Sequence, residues 1–528
     1  MRGVVPMEDS RYYLKVAQAV AEGDVLGDEV FYLAPLYSYS LALPLGLSRT
    51  RAADGSFAYD IPAVRTTQSV VGAINCGLLC WIGCALFGGP AGVLAGLVAT
   101  TYPVFIYYDG ILMPSTLILF VHLLALLVLV YAARRRSSLW WLGAGVALAF
   151  CALSHGVGLM TFLAALLWVW LGFPGAGSRV KLSRSVLLLA GFLPLIGMVT
   201  LRNYIVGDDL VLLTSNSGRV AYIGNNPTAT GTFRSYPSTI WGANLNTYLD
   251  GVERTANDMS PSEMSKHFLS LALEYVREQP GQALLLMGKK LRLFFHAVEL
   301  GINDQFYFAR RFSPALRWPV HLPLGLILPI GVTGLVFAVR DKLSSRLLLL
   351  FIASQVVTFT LMFVLGRYRL VMIACFILLA AAQILWWWRS VRERRYRRVL
   401  PSLVLAALLA VVVNLPIEGL DKTRGFGQQY AHVGTTYLSW GEHDRAEASF
   451  RSALESDFEP WTIHHMMRAR CHMSLGEIHR ARGEADDALK AYQSALAEIN
   501  AEEIAPTKDR LRRRIVERID NMRLSRPE

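Results

Sequence analysis

Along most of its length the chain alternates long apolar runs with short polar gaps. Runs long enough to cross about 30 Å of hydrocarbon at 1.5 Å per residue fall at 67–87, 90–108, 115–133, 139–155, 157–173, 185–202, 320–339, 346–365, 368–388 and 399–415. They predict ten transmembrane helices. Residues 31–47 are also apolar, but the run is short and Pro35 and Pro44 interrupt it. A helix lying at the membrane interface is expected there; the rival reading has 31–47 spanning, with a cytoplasmic N-terminus.

After residue 416 the pattern changes. "GTTYLSWGEHDRAEASFRSAL" from Gly434 and "GEIHRARGEADDALKAYQSAL" from Gly476 share Gly, then Ala446 and Ala488, an aromatic at Phe450 and Tyr492, and Ala453 and Ala495. Small and aromatic residues at these offsets let two antiparallel helices pack closely, the tetratricopeptide (TPR) pattern. An insertion around Glu459 to His465 lengthens the spacing, so about two degenerate repeats are expected. Two repeats make a small docking surface for a protein partner.

Charge sharpens the division. In residues 1–416 there are 35 Lys and Arg against 21 Asp and Glu, whereas 417–528 hold 17 against 19. So 56 of the first 416 residues are charged and 36 of the last 112, which points to lipid around the first part and water around the second. The net +12 does not indicate nucleic acid, because the basic residues cluster between hydrophobic runs. Those clusters occupy alternate gaps: Arg134 to Arg136, then Arg179/Lys181/Arg184, then Arg340/Lys342/Arg346, then six arginines from Arg389 to Arg398. By the positive-inside rule these gaps are cytoplasmic. Residues 1–66, 203–319 and 417–528 then face outward across a bacterial-type plasma membrane. This orientation puts residue 1 outside with no signal-like run ahead of the first span, so a further span upstream is expected.

The six cysteines offer no metal or disulfide spacing; Cys76, Cys80 and Cys84 recur every fourth residue, as small residues do where helices pack closely. The tail histidines (His432, His443, His464, His465, His472, His479) lack ligand spacing and read as solvated helix faces. No glycine-rich phosphate loop or dinucleotide fingerprint is present. The unusual polar residues instead gather at outer span ends: Glu8 and Asp9, "YYDG" at 107–110, His155, "LRNY" at 201–204 and "GRYR" at 366–369. Ionisable residues at a membrane boundary are costly unless solvated or used. An acid pair with several arginines on one face suits a reaction on an anionic lipid.

The motifs resemble a known group. "EDSRYYLKVAQAVAEGDVLGDEVFYLAPLYSYSLAL" resembles the first outer loop of the polyprenol-dependent GT-C glycosyltransferases, the dolichyl-phosphate-mannose-protein mannosyltransferase (glycosyltransferase family 39) and ArnT-like group. "YPVFIYYDGILMPSTL", "ALSHGVGL", "LRNYIVGDDLVLLTSNSGRVAYIGNNPTATGTF" and "GRYRLVMIACFILLAA" resemble its later signatures in the same order. Pro114 and Ser115 stand where that group often has an acid, His155 where it often has Arg, and Ser38 where it has Pro.

The resemblance implies an all-α polytopic GT-C fold with a mixed extracytoplasmic loop, divided as 1–66, bundle 67–202, loop 203–319, bundle 320–416 and repeat tail 417–528. It implies a sugar moved from a polyprenyl-phosphate co-substrate to a lipid, glycan or protein acceptor. The loop base matches Asp9, or Glu8 in a different alignment. Arg11 and Tyr12 match residues near the donor phosphate, and Arg367 and Arg369 those holding it. Tyr108, Asp109, His155, Arg202, Asn225, Asn226 and Tyr368 complete the expected substrate site. No metal ligand is assigned, though a divalent ion is left open. The alternatives are a catalytically impaired membrane-anchored TPR protein and a transporter; the near absence of mid-span charges argues against the second. With this orientation, a reporter active only in the cytoplasm and fused after residue 430 stays silent; a bright fusion inverts the topology.

Overall fold

The computed structural model describes residues 9–51, 57–135, 137–233, 259–301, 305–318, 320–339, 341–417, 426–458, 464–501 and 506–524. The protein opens with α1 (Asp9–Glu22) and α2 (Pro35–Ser48), followed by a two-residue strand pair, β1 (Thr50–Arg51) and β2 (Phe57–Ala58). At 1.5 Å per residue α2 is about 21 Å long, too short to cross hydrocarbon. It leaves Leu43 and Leu47 exposed on its outer side.

Every one of the ten apolar runs is helical. Six helices are long and apolar enough to cross a membrane: α3 (Ile61–Phe87), α6 (Ser115–Arg134), α9 (Ser178–Gly207), α15 (Lys342–Leu361), α16 (Leu370–Arg392, entered through a 3-10 turn at Gly366–Arg369) and α17 (Tyr396–Asn414). The run at 90–108 is instead two helices, α4 (Gly89–Thr100) and α5 (Pro103–Asp109), bent by 60°. Pro103 accounts for the break: its ring disfavours helical backbone in the residue before it, and Tyr102 is extended at φ −81, ψ 108. Three more runs form shorter apolar helices, α7 (Ser138–Ser154), α8 (Val157–Gly172) and α14 (Leu324–Thr333, continued by a π turn at Gly334–Ala338). The chain is a multi-pass membrane protein, and its described residues are predominantly helical, with the short β1–β2 pair as the exception.

The bundle is built around α16. Every residue from Arg369 to Gln383 is buried, as expected of a helix that is apolar all round, and α3, α4, α6, α14 and α17 all touch it. The cysteine stripe packs as expected: Cys80 and Cys84 meet Gly92 and Gly96 of α4, so the two helix backbones approach closely.

Between α9 and α14 the described residues form α10 (Ser217–Gly224), α11 (Pro261–Glu278), α12 (Pro280–Phe295) and α13 (Phe306–Phe312). The tail is helical too, with α18 (Gly427–Ser439) against α19 (His443–Glu455), α20 (His464–Ala481) against α21 (Ala485–Ala501), and α22 (Pro506–Leu524) beyond. The insertion expected at Glu459 to His465 falls mostly outside the described residues. Phe308 of α13 holds the tail to the bundle by packing against Tyr430 at 4.9 Å and Phe426 at 5.6 Å between ring centroids. Arg311 adds its guanidinium 4.4 Å from the Phe426 ring.

The repeated residues meet across each tail hairpin. A Cβ at Gly434 would lie 2.8 Å from the Phe450 ring, and one at Gly476 2.6 Å from the Tyr492 ring, while Ala446, Ala453, Ala488 and Ala495 are fully buried. Gly434→Val and Gly476→Val are therefore each expected to cost about 1–3 kcal/mol of local stability through overpacking. Hydrogen exchange in α18–α21 measures it; unchanged protection removes the packing argument.

Candidate active site at the outer end of the buried helix

The turn Gly366–Arg369 delivers two arginines to different environments. In a 3-10 turn successive residues are separated by about 120°, so positions two apart point different ways. Arg369 points inward and is fully buried. It gives Nη2 to Glu299 Oε2 at 2.6 Å and to the Val298 carbonyl at 2.8 Å, and Nη1 to the His296 carbonyl at 2.5 Å. Glu299 also accepts from the Tyr102 hydroxyl at 3.0 Å, and its backbone N–H donates to the Tyr307 hydroxyl at 3.0 Å. Gly366 is required here, since a Cβ would fall 2.8 Å from Glu299 Oε2.

Arg367 points outward and meets Asp9, with Nη2 3.1 Å from Oδ2. The two residues are 358 positions apart, yet both reach the surface, with side chains 20% and 41% exposed. Asp9 sits in the first turn of α1, where the helix dipole favours a carboxylate. Beneath the pair lie Tyr13, whose phenol is pushed well up by burial and then by the Asp9 charge, and Tyr368, whose ring centroid is 5.3 Å from the Arg367 guanidinium. Ser10 donates to the Leu112 carbonyl at 2.8 Å and fixes the start of α1 against the loop after α5.

Tyr368 belongs to an aromatic stack. It lies parallel to Phe359 at 4.4 Å and touches the His155 ring at 5.3 Å. His155 accepts the Val157 N–H at Nδ1 (3.2 Å), so its ring also begins α8. Tyr108 comes close enough to Arg367 to act on its charge. Asp9, Arg367, Tyr368, Tyr108 and His155 are thus brought together.

Other expected site residues lie elsewhere. Arg11 is exposed on α1, on the side of the tail, where burial, then Arg470 and the Arg11 charge, push the His432 imidazole of α18 down to about 4. Tyr12 accepts the Tyr32 N–H at 3.1 Å and joins α1 to the segment before α2. Arg202 donates to the Glu29 carbonyl at 2.6 Å and to the Leu26 carbonyl, and its guanidinium stands 4.0 Å over the Phe31 ring. It pins the first outer segment to α9. Asp109 turns to α3 and α6, accepting from Thr116 Oγ1 at 2.7 Å. Asn225 donates to the Leu361 and Ala221 carbonyls at 2.6 and 2.8 Å, and Asn226 closes a turn by accepting from Thr228. Glu8 lies outside the described residues.

Three residues were missed in the sequence. Glu299 lies in an irregular segment without a motif. His122 is buried within α6, with Nδ1 on the Ile118 carbonyl at 2.7 Å, and nothing about its position in an apolar run marks it. Lys290 did carry a signal, since it stands on the buried stripe of α12 with Leu286, Leu293 and Phe294. A lysine in a core register is detectable by periodicity alone. Among the described residues no group of three or more His, Cys, Asp or Glu could hold a metal ion.

The family model described as dolichyl-phosphate-mannose-protein mannosyltransferase matches residues 57–201, from β2 to the last turns of α9. The match covers about a quarter of the chain and lies within the stretch whose motifs resemble that group. Among solved structures, ArnT from Cupriavidus metallidurans bound to undecaprenyl phosphate is similar at 14% identity, over 98% of this chain and 74% of that one, with a TM-score of 0.43. The oligosaccharyltransferase AglB from Archaeoglobus fulgidus in complex with an inhibitory peptide and a dolichol-phosphate is similar at 12% identity, over 87% and 57%, with a TM-score of 0.39. The chain spans a little over half the length of that archaeal enzyme. No curated protein matches the chain.

The Arg369–Glu299 pair generates a stability prediction. Removing one partner of a buried, hydrogen-bonded ion pair leaves an uncompensated charge and typically costs about 3–5 kcal/mol. Glu299→Ala is expected to lower the thermal midpoint sharply, and the double variant Glu299→Leu, Arg369→Met to lose less. A single variant no worse than the double one contradicts this.

Proposed function

We propose that the protein is an integral-membrane glycosyltransferase that moves a sugar from a polyprenyl-phosphate donor to a lipid, glycan or protein acceptor on the extracytoplasmic face. The observation that carries this is the Asp9–Arg367 pair: a carboxylate and a guanidinium from opposite ends of the sequence, meeting at the surface where the spans end. The family match over 57–201 supports the reaction class, and the alternating basic gaps support the side of the membrane.

The chemistry follows from these two groups. The acceptor hydroxyl gives its proton to the Asp9 carboxylate as its oxygen bonds to the anomeric carbon. The bond from that carbon to the phosphate oxygen breaks, and the electron pair leaves with the phosphate. Arg367 offers paired N–H donors to that leaving group as its charge develops. In the ligand-free protein the same donors rest on Asp9. An arriving phosphate competes for them and frees the carboxylate to act as base. His155 and Tyr368 form the floor beside the pair, and the tail helices present the docking surface for a protein partner.

Asp9→Asn is expected to lower transfer on the order of 10²–10⁴-fold in a protein that still folds, with Glu8→Gln milder. Arg367→Lys should raise the apparent KM for a polyprenyl-phosphate sugar about tenfold or more, because lysine cannot reproduce planar bidentate recognition. Transfer assays on purified protein measure both. Full activity in the Asp9→Asn, Glu8→Gln double variant would eliminate this loop as the source of the base.

A further inference from the structure

Lys290 is 1% exposed, while Leu284 and Leu285 on the opposite side of α12 are 70% and 77% exposed. Its ammonium donates to Asn225 Oδ1 at 2.9 Å. Asn225 commits its own N–H groups to the Leu361 and Ala221 carbonyls, so only its oxygen faces the lysine. Among the described residues no carboxylate pairs with Lys290, and burial pushes its ammonium down to about 8. A buried ammonium ordinarily has a counter-ion. Holding one against a single neutral amide lowers stability, and such arrangements concentrate where a ligand supplies the missing charge.

The surroundings tie this lysine to the site. Val364 donates its N–H to the Gly231 carbonyl at 3.0 Å, and Thr232 bridges to Val364. Gly231, at φ +98°, lies over the lysine stem, where a Cβ would stand 3.3 Å from Lys290 Cγ. The strip 361–365 held in this way runs directly into the turn that presents Arg367. One helical turn beyond Lys290, Phe294 stacks on Phe359, which stacks on Tyr368. Lys290 therefore stands behind the aromatic stack that backs Arg367.

We propose that the Lys290 ammonium, positioned by Asn225, forms a second oxyanion subsite, for a phosphate group, beside the one assigned to Arg367. The inference rests on the proposal that phosphate-bearing substrates are handled on this face. Asn225 spends its own N–H groups on the Ala221 and Leu361 carbonyls and holds the ammonium through its oxygen, and the two ammonium N–H groups it leaves supply charge-assisted bonds to the anion. The phosphate is carried by a lipid or is free; the recognition chemistry is the same.

The test uses full-length protein in detergent micelles, with dodecyl phosphate and inorganic phosphate as probes in titration calorimetry. Lys290→Met is expected to weaken dodecyl phosphate binding about tenfold or more, while the thermal midpoint without ligand holds or rises because an uncompensated buried charge has gone. A parallel loss with inorganic phosphate identifies a headgroup site open to free phosphate, and a loss with dodecyl phosphate alone identifies a lipid phosphate. Unchanged binding of both probes in Lys290→Met, or no binding of either to the unaltered protein, overturns the subsite. If Lys290→Met does not fold, Asn225→Asp decides: an internal carboxylate should quench the ammonium and weaken probe binding in a folded protein, and unchanged binding again overturns the proposal. The glycosyltransferase reading fails separately, if the unaltered protein transfers no sugar from a polyprenyl-phosphate donor.

Discussion

The ion pair between Arg369 and Glu299 sets the end of the bundle at which α16 begins. A guanidinium with no exposure, at the start of a helix buried over its next fourteen residues, is tolerable only with its charge met and its donors occupied. Glu299 and the His296 and Val298 carbonyls meet that demand; the Tyr102 hydroxyl holds the carboxylate in turn, and the Tyr307 hydroxyl accepts the Glu299 backbone N–H. Tyr102 stands at the bend between α4 and α5, so the same cluster fixes three parts of the chain: the broken span, the segment before α13 and the entry to α16.

With Arg369 anchored, the geometry of a single 3-10 turn decides where Arg367 goes. It leaves the core and reaches α1, whose first turn presents Asp9. The arrangement is of moderate exposure on both sides, and solvent screens it. A fully buried pair such as Arg369–Glu299 could not release either charge at acceptable cost, whereas a partly exposed pair such as Arg367–Asp9 can separate. Two arginines two residues apart thus differ, one locked in the core and the other partly exposed at the surface.

The segments that surround this pair are held by polar contacts to backbone as well as by apolar burial, Tyr13 and Ala17 of α1 packing on Tyr37, Leu41 and Leu45 of α2. Arg202 clamps the first outer segment through the Glu29 and Leu26 carbonyls, and Asn225 clamps α10 to the end of α15 through the Leu361 carbonyl. Such contacts give irregular backbone its hydrogen-bond partners, so Arg202 and Asn225 brace the segments they sit on. Phe308, Phe426 and Tyr430 do the same for the tail by apolar means, bringing α18 alongside α13.

The sequence by itself determined the apolar helices and the tail hairpins, because each depends on a local periodicity. Ten apolar runs became helices, and Gly434 and Gly476 met the aromatics sixteen residues on; the bend at Pro103, which splits the run expected to cross at 90–108, and the count of six helices long enough to span came only with the structure. The motifs also singled out Asp9 and the turn Gly366–Arg369, which the structure brings into contact. What they could not separate was Arg367 from Arg369, or Asp9 from Arg11, since adjacent charges in one motif look alike until the direction of each side chain is known. Only the tertiary structure assigned those directions: Arg369 to Glu299, Arg367 to Asp9, and Arg11 to the tail. The partners lie 70 and 358 residues away from the arginines they meet. Charge pairing of this kind is long-range in sequence and short-range in space, so no periodicity records it, and the fold alone decides which arginine serves as support and which faces the site.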